Sequence, residues 1–441
     1  MDRPILCLSL SLIAAMLVLA AVRPAFAEGG PAPLAADQVN QRIQKHRTAE
    51  VTVTVLAPGG NPLANQTVTV RQTRHKFLFG CNAFMINTED KSADQLAYQK
   101  RFAELLNYAT LPFYWGAFEP EEGKPHTARL RMMAEWCQAN GIRPKGHPLC
   151  WHEVPCKWLE GKPLDEVKAL QLGRITREVK GFAGFIDTWD VVNEACVMPG
   201  YGGGKNSIGN LCKEMGNVAL IQATFAAARE ANPKAMLLLN DYDTSPKYEA
   251  LIKDCLAAGV PIDVIGIQSH MHGGYWGAAQ AWQVCERFAK FGKPLHFTEL
   301  TILSADKHPK MDWKTTQPDW NTTPEGETRQ AQQVEEFYRI LFSHPAVEGI
   351  TWWDFSDKHS WQGAPSGLVR KDMSPKPAYE ALMRMVRKEW WTGPLELKTD
   401  AQGRVKFHGF LGDYSVQYAG GSGLMQIQTP GETAVEVKLV K

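Results

Sequence analysis

The chain has 441 residues, of which 44% are hydrophobic and 22% are charged. This composition is ordinary for a globular protein with a sizeable core and argues against a disordered or fibrous chain. Forty-eight Lys and Arg residues against 47 Asp and Glu residues give a formal net charge of +1 at pH 7. Such a balance gives no electrostatic reason to expect binding to nucleic acid or to an anionic membrane.

The first residues have the pattern of an export signal. Arg3 precedes a nearly continuous apolar run over residues 5–22, and Ala25-Phe26-Ala27 offers small residues for cleavage. We therefore expect residues 1–27 to be a signal peptide, and the mature protein to be secreted or periplasmic with no membrane association. An uncleaved membrane anchor is the alternative.

The cysteine content leaves disulfides open. Nine cysteines are present, and Cys7 lies in the expected signal peptide. The other eight could form disulfides in an exported protein. Cys150 with Cys156, and Cys196 with Cys212, are near enough in sequence to close short loops. Buried free thiols are the alternative for several of them.

Both ends of the mature chain carry short strands. Residues 28–48 are rich in Ala, Pro and polar residues with a short helical run, and we expect a linker there. Apolar and polar residues alternate with period two over 49–75 and again over 391–441, which predicts N-terminal and C-terminal β strands. Neither set has enough strands to be stable alone. We expect the two sets to form one small accessory β-sandwich.

The region between them, residues 76–390, alternates apolar strands with helical segments. Strands that are apolar throughout are typical of a parallel sheet covered by helices on both faces. Eight strand–helix units predict an α/β fold of the TIM (β/α)8 barrel type; a doubly wound open sheet is the alternative. The predicted strands are 77–83, 108–115, 142–151, 188–194, 235–243, 264–270, 295–303 and 349–357, and the predicted helices are 92–107, 128–140, 164–181, 215–231, 247–258, 278–291, 327–342 and 377–389.

Two predicted strands end in a glutamate. Glu194 closes Trp189-Asp190-Val191-Val192-Asn193-Glu194, and Glu299 closes His296-Phe297-Thr298-Glu299. A TIM barrel places its chemistry at the C-terminal ends of its strands, and hydrolysis of a glycosidic bond needs two carboxyl groups, one as an acid and one ionised. A solvated strand end is the alternative for each glutamate. We expect Gln268 and His270 to donate hydrogen bonds to Glu299 and to keep it ionised.

Other local patterns do not indicate a metal or a cofactor. The glycine-rich stretch at 200–207 has Asn206 where a phosphate-binding loop needs Ser or Thr after the lysine. His152-Glu153 begins like a zinc-binding helix, but Cys156 stands where the second His is required. We predict no metal and no cofactor.

A set of ordered motifs then points to a family. The sequence resembles the family 10 glycoside hydrolases, chiefly endo-1,4-β-xylanases, which are retaining enzymes with a TIM barrel. The resemblance implies that Glu194 is the acid/base and that Glu299 is the nucleophile. It also implies substrate-binding roles for His147, Trp151, Asn193, Gln268, His270, Trp353 and Trp361. The matching segments are Gly146-His147-Pro148-Leu149, Trp151-His152, 189–194, Asn240-Asp241-Tyr242, Gly266-Ile267-Gln268-Ser269-His270, Thr298-Glu299-Leu300 and 351–361.

One segment departs from the family. Family members carry a Glu-Asn-x-x-Lys-Trp segment at the end of the second barrel strand, whereas this chain has Thr110-Leu111-Pro112-Phe113-Tyr114-Trp115. Trp115 aligns, and Tyr114 stands in the place of the lysine. We expect Tyr114 and Trp115 to contact substrate, and Tyr114 and Phe113 to stack on a different or decorated sugar.

The sequence therefore predicts a secreted, monomeric, retaining endo-β-1,4-glycanase, with a xylan-type plant polysaccharide as its substrate and partner. One alternative is a glycosidase of the same clan that acts on a different or decorated glycan. The other is a carbohydrate-binding barrel with weak hydrolysis.

Overall fold

The computed structural model describes residues 34–310, 312 and 314–440. The expected signal peptide, residues 1–27, lies outside the described residues. Within the described ranges, no helix combines the length and the apolar character that a membrane span requires.

The chain begins with a helix and two strands that precede the barrel. These are α1 (Ala36–Arg47), β1 (Thr48–Leu56) and β2 (Thr67–His75). The predicted linker, 28–48, is wrong over the range of α1. Val39, Ile43 and Arg47 are four residues apart, so they share one face of the helix, and all three are buried. Arg47 also donates hydrogen bonds to the carbonyls of Phe342, His344 and Val347, which fixes α1 to the barrel.

The barrel has the predicted TIM architecture. Eight parallel strands close in the order β10-β3-β4-β5-β6-β7-β8-β9, with helices outside. The strands are β3 (Leu78–Asn82), β4 (Tyr108–Pro112), β5 (Arg143–His147), β6 (Thr188–Asn193), β7 (Met236–Asp241), β8 (Val264–Ile267), β9 (Leu295–Leu300) and β10 (Val347–Trp352). The helices are α2 (Ala93–Leu105), α3 (Trp115–Phe118), α4 (Thr127–Ala139), α5 (Leu164–Gly181), α6 (Ser207–Met215), α7 (Asn217–Ala231), α8 (Pro246–Ala257), α9 (Gly277–Ala289), α10 (Pro324–Ser343) and α11 (Pro377–Arg384).

The observed strands end earlier than the sequence predicted. The apolar pattern continues past the sheet because the residues that follow a strand are also buried. The predicted helix 215–231 corresponds to α7, and α6 before it is a helix that was not predicted from the sequence. Gly216 separates the two helices with a φ of 82°, which is incompatible with a continuous helix.

The two chain ends form the predicted β-sandwich. The five C-terminal strands are β11 (Leu395–Lys398), β12 (Arg404–Phe410), β13 (Gly412–Tyr418), β14 (Gly421–Ile427) and β15 (Gly431–Lys438). One sheet has the order β12-β1-β15 and the other has the order β11-β2-β13-β14. Valines of β1 and β2 pack in a single core with Tyr414, Met425 and Ile427.

The eight cysteines of the described chain are buried free thiols. The possible bridges from Cys150 to Cys156 and from Cys196 to Cys212 are therefore not formed. Burial raises the pKa of both Cys150 and Cys156 to about 12, so these thiols stay protonated at neutral pH.

Candidate active site

Glu194 and Glu299 both lie at the C-terminal mouth of the barrel, as the sequence predicted. Glu299 is the penultimate residue of β9, and Glu194 directly follows β6. Glu194 has a φ of 55°, in the left-handed region that a residue with a side chain rarely adopts. Such strain persists where surrounding contacts hold it, and it is concentrated at functional sites.

Three side-chain amides connect the two carboxyl groups. Asn240 Nδ2 donates to Glu299 Oε1 at 2.9 Å and to Asn193 Oδ1 at 2.7 Å. Gln268 Nε2 donates to Glu194 Oε1 at 2.9 Å and to Asn193 Oδ1 at 3.2 Å. The Asn193 oxygen is thus shared by two amides, each of which binds one glutamate, so the positions of both carboxyl groups are coupled.

The position of Asn240 depends on a glycine in the next strand. A Cβ atom at Gly266 of β8 would lie 2.3 Å from Asn240 Oδ1, which is closer than non-bonded atoms can approach. Thr298 donates to the same oxygen at 2.6 Å and so fixes which way the amide faces. From the sequence, Asn240 and Gly266 are recognisable only as parts of motifs, without a role in the site.

The expected pair of donors to Glu299 is only half correct. His270 Nε2 does lie 2.9 Å from Glu299 Oε2, but Gln268 binds Glu194 and Asn193 instead. The cause is Ser269, whose φ of 62° turns the chain between them. In an extended strand, residues two apart point the same way, and this turn instead sends the two side chains to different carboxyl groups.

Glu194 receives a further donor from the loop after β5. Trp151 Nε1 lies 2.9 Å from Glu194 Oε2, and His152 Nε2 lies 3.9 Å from the same oxygen. Burial lowers the pKa of His152 to about 4, so the imidazole is neutral. The ring of Tyr201 packs on His152 with a centroid distance of 3.9 Å.

Glu299 borders a buried network formed by His147, Asp190 and Lys145. His147 Nε2 lies 3.9 Å from Glu299 Oε1, while His147 Nδ1 lies 2.7 Å from Asp190 Oδ2. Lys145 Nζ lies 2.6 Å from the same Asp190 oxygen. Burial alone would raise the pKa of Asp190, but Lys145 and His147 lower it below its usual value, so Asp190 is ionised.

The two glutamates differ in the charges around them. Burial raises the pKa of Glu194 to about 7; Gln268 and Trp151 oppose that rise, and the charges of Glu299 and Asp241 add to it. Burial also raises the pKa of Glu299, and the charge of Asp190 adds to that rise, but His147, Lys145 and the amide of Asn240 oppose it. The site therefore favours a proton on Glu194 and a negative charge on Glu299.

Comparison with known proteins agrees with this geometry. The chain matches the family model described as glycosyl hydrolase family 10 over residues 71–385. The chain belongs to this family.

The chain is similar to several proteins at low identity. The chain is 26% identical to anti-sigma-I factor RsgI6 of Acetivibrio thermocellus over 86% of this chain, and it spans 46% of that protein. It is 28% identical to endo-1,4-beta-xylanase B of Thermotoga neapolitana, over 62% of this chain and 78% of the relative. The crystal structure of xylanase 10B from Thermotoga petrophila in complex with xylobiose superposes with a TM-score of 0.60 and 26% identity, covering 71% of this chain and 95% of that chain.

Aromatic rings of the family 10 barrel surround the two glutamates. The Trp353 ring lies 5.4 Å from the ring of His147, 5.8 Å from that of His270 and 5.4 Å from that of Phe84. The Trp361 ring is half-buried and lies 4.8 Å from the His270 ring. The Trp353 side chain is 6% exposed, and both tryptophans lie beside the His270 ring that contacts Glu299. Phe84 was not recognised from the sequence.

The departure from the family 10 pattern at the end of β4 brings one aromatic residue to the mouth. The half-buried ring of Tyr114 lies 5.4 Å from the ring of His147 and 5.5 Å from that of Trp151. Burial raises the pKa of Tyr114, and Glu299 and Glu194 add to that rise. The phenol is therefore a neutral donor beside both carboxyl groups.

Two neighbours of Tyr114 are not at the mouth. Phe113 is fully buried against Phe118 and Trp189, so the expected stacking of Phe113 on a sugar is wrong. Trp115 is 8% exposed, and its indole donates to Glu119 while Arg174 covers its ring. The structure places Trp115 in the core rather than beside Glu194 and Glu299, because α3 begins there and turns the ring away.

Proposed function

We propose that this family 10 protein hydrolyses internal β-1,4 linkages of a xylan-type polysaccharide and retains the anomeric configuration. In this proposal Glu194 is the general acid/base and Glu299 is the nucleophile. The observation that carries the proposal is the difference in charge around the two buried carboxyl groups, because His147 and Lys145 lower the pKa of Glu299 whereas the charges of Glu299 and Asp241 raise the pKa of Glu194. A retaining glycosidase needs one protonated and one ionised carboxyl group, about 5–5.5 Å apart.

The first half of the reaction follows from these environments. Glu299 attacks the anomeric carbon while Glu194 donates its proton to the departing glycosidic oxygen. The carbon–oxygen bond to the leaving sugar breaks, and a covalent sugar ester of Glu299 forms. Asn240 and His270 hold the Glu299 carboxylate through its two oxygens, so little reorganisation is required for attack.

The second half reverses these roles. Glu194, now ionised, takes a proton from a water molecule, whose oxygen attacks the anomeric carbon and displaces Glu299. The loss of one negative charge from Glu299 in the ester lowers the pKa of Glu194, because the charge of Glu299 is one of the causes that raise it. Glu194 is therefore ready to act as a base when the ester is present.

Two classes of polysaccharide are candidates for the preferred substrate. The relatives named as endo-1,4-beta-xylanases favour a xylan-type polymer. Tyr114 instead favours a different or decorated glycan, because an aromatic phenol occupies the place of a charged donor and offers a stacking face. Product analysis over a panel of plain and decorated β-glycans separates these candidates. Binding without turnover on the whole panel would support a carbohydrate-binding barrel.

We also propose, from the residues before the described chain, that the protein is exported and cleaved after Ala27 and that it acts as a monomer. N-terminal sequencing of the protein recovered from the culture medium and the periplasm tests the first point. Sedimentation velocity of the mature chain tests the second.

The catalytic roles are tested by paired substitutions with azide rescue. Glu299→Ala should reduce turnover of an aryl β-glycoside by several orders of magnitude, and added azide should restore it with an α-glycosyl azide as product. Glu194→Ala should instead yield the β-glycosyl azide, because the Glu299 ester still forms first. Glu214→Ala, at an exposed carboxylate of α6, is the matched control and should retain full activity. Full activity of Glu299→Ala on every glycan would overturn the assignment.

A further inference from the structure

A second cavity lies at the opposite end of the barrel from Glu194 and Glu299. Its volume is about 500 Å³. The N-terminal ends of barrel strands form one wall, through Leu78, Arg143 and His296, and the sandwich forms the other, through Arg74 and Asp413. We refer to it as the floor cavity.

Positive charge is in excess around the floor cavity. Four Arg and Lys side chains line it, against the two carboxylates of Glu348 and Asp413. Asp413 forms an ion pair with Arg74, whose guanidinium lies 2.7 Å from its carboxylate. The other Arg and Lys side chains that line the floor cavity are Arg47, Lys76 and Arg143.

Two of these cations keep their charge available to a ligand. Lys76 Nζ donates only to the backbone carbonyl of Gln428, at 2.8 Å, so no carboxylate neutralises it. Arg143 is exposed at the start of β5, and its guanidinium has no hydrogen bond and no ion pair to any residue in the described parts of the chain. Arg47 differs from both, because its donors are engaged by backbone carbonyls.

His296 supplies an independent indication of a ligand. It lines the floor cavity and is 1% exposed, yet neither of its ring nitrogens has a hydrogen-bond partner among the described residues. Buried polar side chains in native proteins almost always have a partner. Burial lowers the pKa of His296 to about 3, so at neutral pH the ring is uncharged and has one N–H to donate.

We propose that the floor cavity binds a small oxyanion, a carboxylate or a phosphate, held by Arg143 and Lys76 with a hydrogen bond from His296. A guanidinium recognises both anions through paired N–H groups, and the ammonium adds a point charge. The volume has room for the anionic group together with an attached sugar ring. The site is separate from the proposed hydrolytic centre and does not depend on it.

Calorimetric titration of the full chain at low ionic strength tests this site, with inorganic phosphate and glucuronate as probes and glucose as the neutral control. We expect saturable binding of at least one anion and none of glucose. Arg143→Gln and Lys76→Gln should each weaken that binding at least tenfold. Arg71→Gln is the matched control, because Arg71 is an exposed residue of β2 outside the cavity lining, and it should bind as the parent chain does.

The two probes distinguish the class of ligand. Binding of glucuronate identifies a carboxylated sugar as the class of ligand, whereas binding of phosphate alone identifies a tetrahedral anion. Glu299→Ala should bind the same anion with unchanged affinity, so loss of hydrolysis and loss of anion binding are distinguishable. Absence of binding for both anions, or binding that Arg143→Gln and Lys76→Gln leave unchanged, overturns the proposal.

Discussion

Lys145 and Asp190 form an ion pair that solvent does not reach. The two atoms that define it are 2.6 Å apart, and both side chains are 0% exposed. The same Asp190 oxygen contacts His147, whose other nitrogen faces Glu299. The ion pair therefore anchors the imidazole that borders the proposed nucleophile.

We expect Lys145→Met to destabilise the protein strongly. The substitution leaves Asp190 charged and without its main partner in a dry environment, which typically costs about 3–5 kcal/mol. Urea unfolding gives the change in the free energy of unfolding. Lys168→Met, at an exposed lysine of α5, is the control and should change stability by less than about 0.5 kcal/mol. A loss below about 1 kcal/mol for Lys145→Met would mean that Asp190 is neutralised in another way.

The pH dependence of kcat/KM should report the proton on Glu194. In its proposed role as general acid, Glu194 must be protonated in the free enzyme, and burial raises its pKa to about 7. Activity should therefore fall as the pH rises through about 7. Gln268→Leu removes a hydrogen bond that lowers this pKa, so the alkaline midpoint should move to higher pH even if the rate decreases. The profile is measured with a small aryl β-glycoside; an alkaline limb that moves to lower pH in the variant would contradict the assignment.

Tyr114 should determine how well plain xylo-oligosaccharides are cleaved. Tyr114→Lys restores a charged donor beside the two carboxyl groups, and a hydrogen bond to a charged group contributes about 1.5–3 kcal/mol, or roughly 10- to 100-fold in rate. We expect kcat/KM on unsubstituted xylo-oligosaccharides to rise by that factor. Tyr114→Phe keeps the ring and serves as the control. An unchanged or lower value in a correctly folded lysine variant would show that the tyrosine is not what limits this substrate.

Some residues of the candidate active site could be assigned from the sequence, and others could not. Glu194 and Glu299 were predictable because an apolar strand that ends in a carboxylate shows both the strand and its functional end. Asn240 was not assigned a role, because a single amide in a motif does not show which carboxyl group it will bind. The Gln268 contact was wrongly assigned because a backbone turn at one ordinary serine reversed its direction.

The first helix shows a different limit. A short amphipathic segment next to Ala and Pro residues looks like a linker, because its apolar positions, Val39 and Ile43, are few. Only tertiary structure supplies the surface of α10 and the carbonyls that capture Arg47. Lys145 is a comparable case, since a lysine inside a strand predicts an exposed edge unless its partner Asp190 is known.

We expect the helix α1 to be part of the folded unit rather than a tether. Ile43→Ala removes a side chain that is 2% exposed in the main core, and such truncations cost about 2–5 kcal/mol. Gln41→Ala, at an exposed position of the same helix, should change stability by less than about 0.5 kcal/mol. Thermal and urea unfolding measure both variants. Equal stability of the two would restore the interpretation of this segment as a linker.

The pairing of β1 with β15 affects how the protein is made. Ala49 of β1 lies beside Gly431, and Leu56 lies beside Lys438, so this sheet joins residues from opposite ends of the described chain. β1 is synthesised before the barrel and before β15. Its edge therefore stays unpaired until β15 is available. An unpaired strand edge is a template for association with other chains, so β1 is open to such association until its partner strands are available. The sandwich can therefore close only when strands from both ends of the described chain are present.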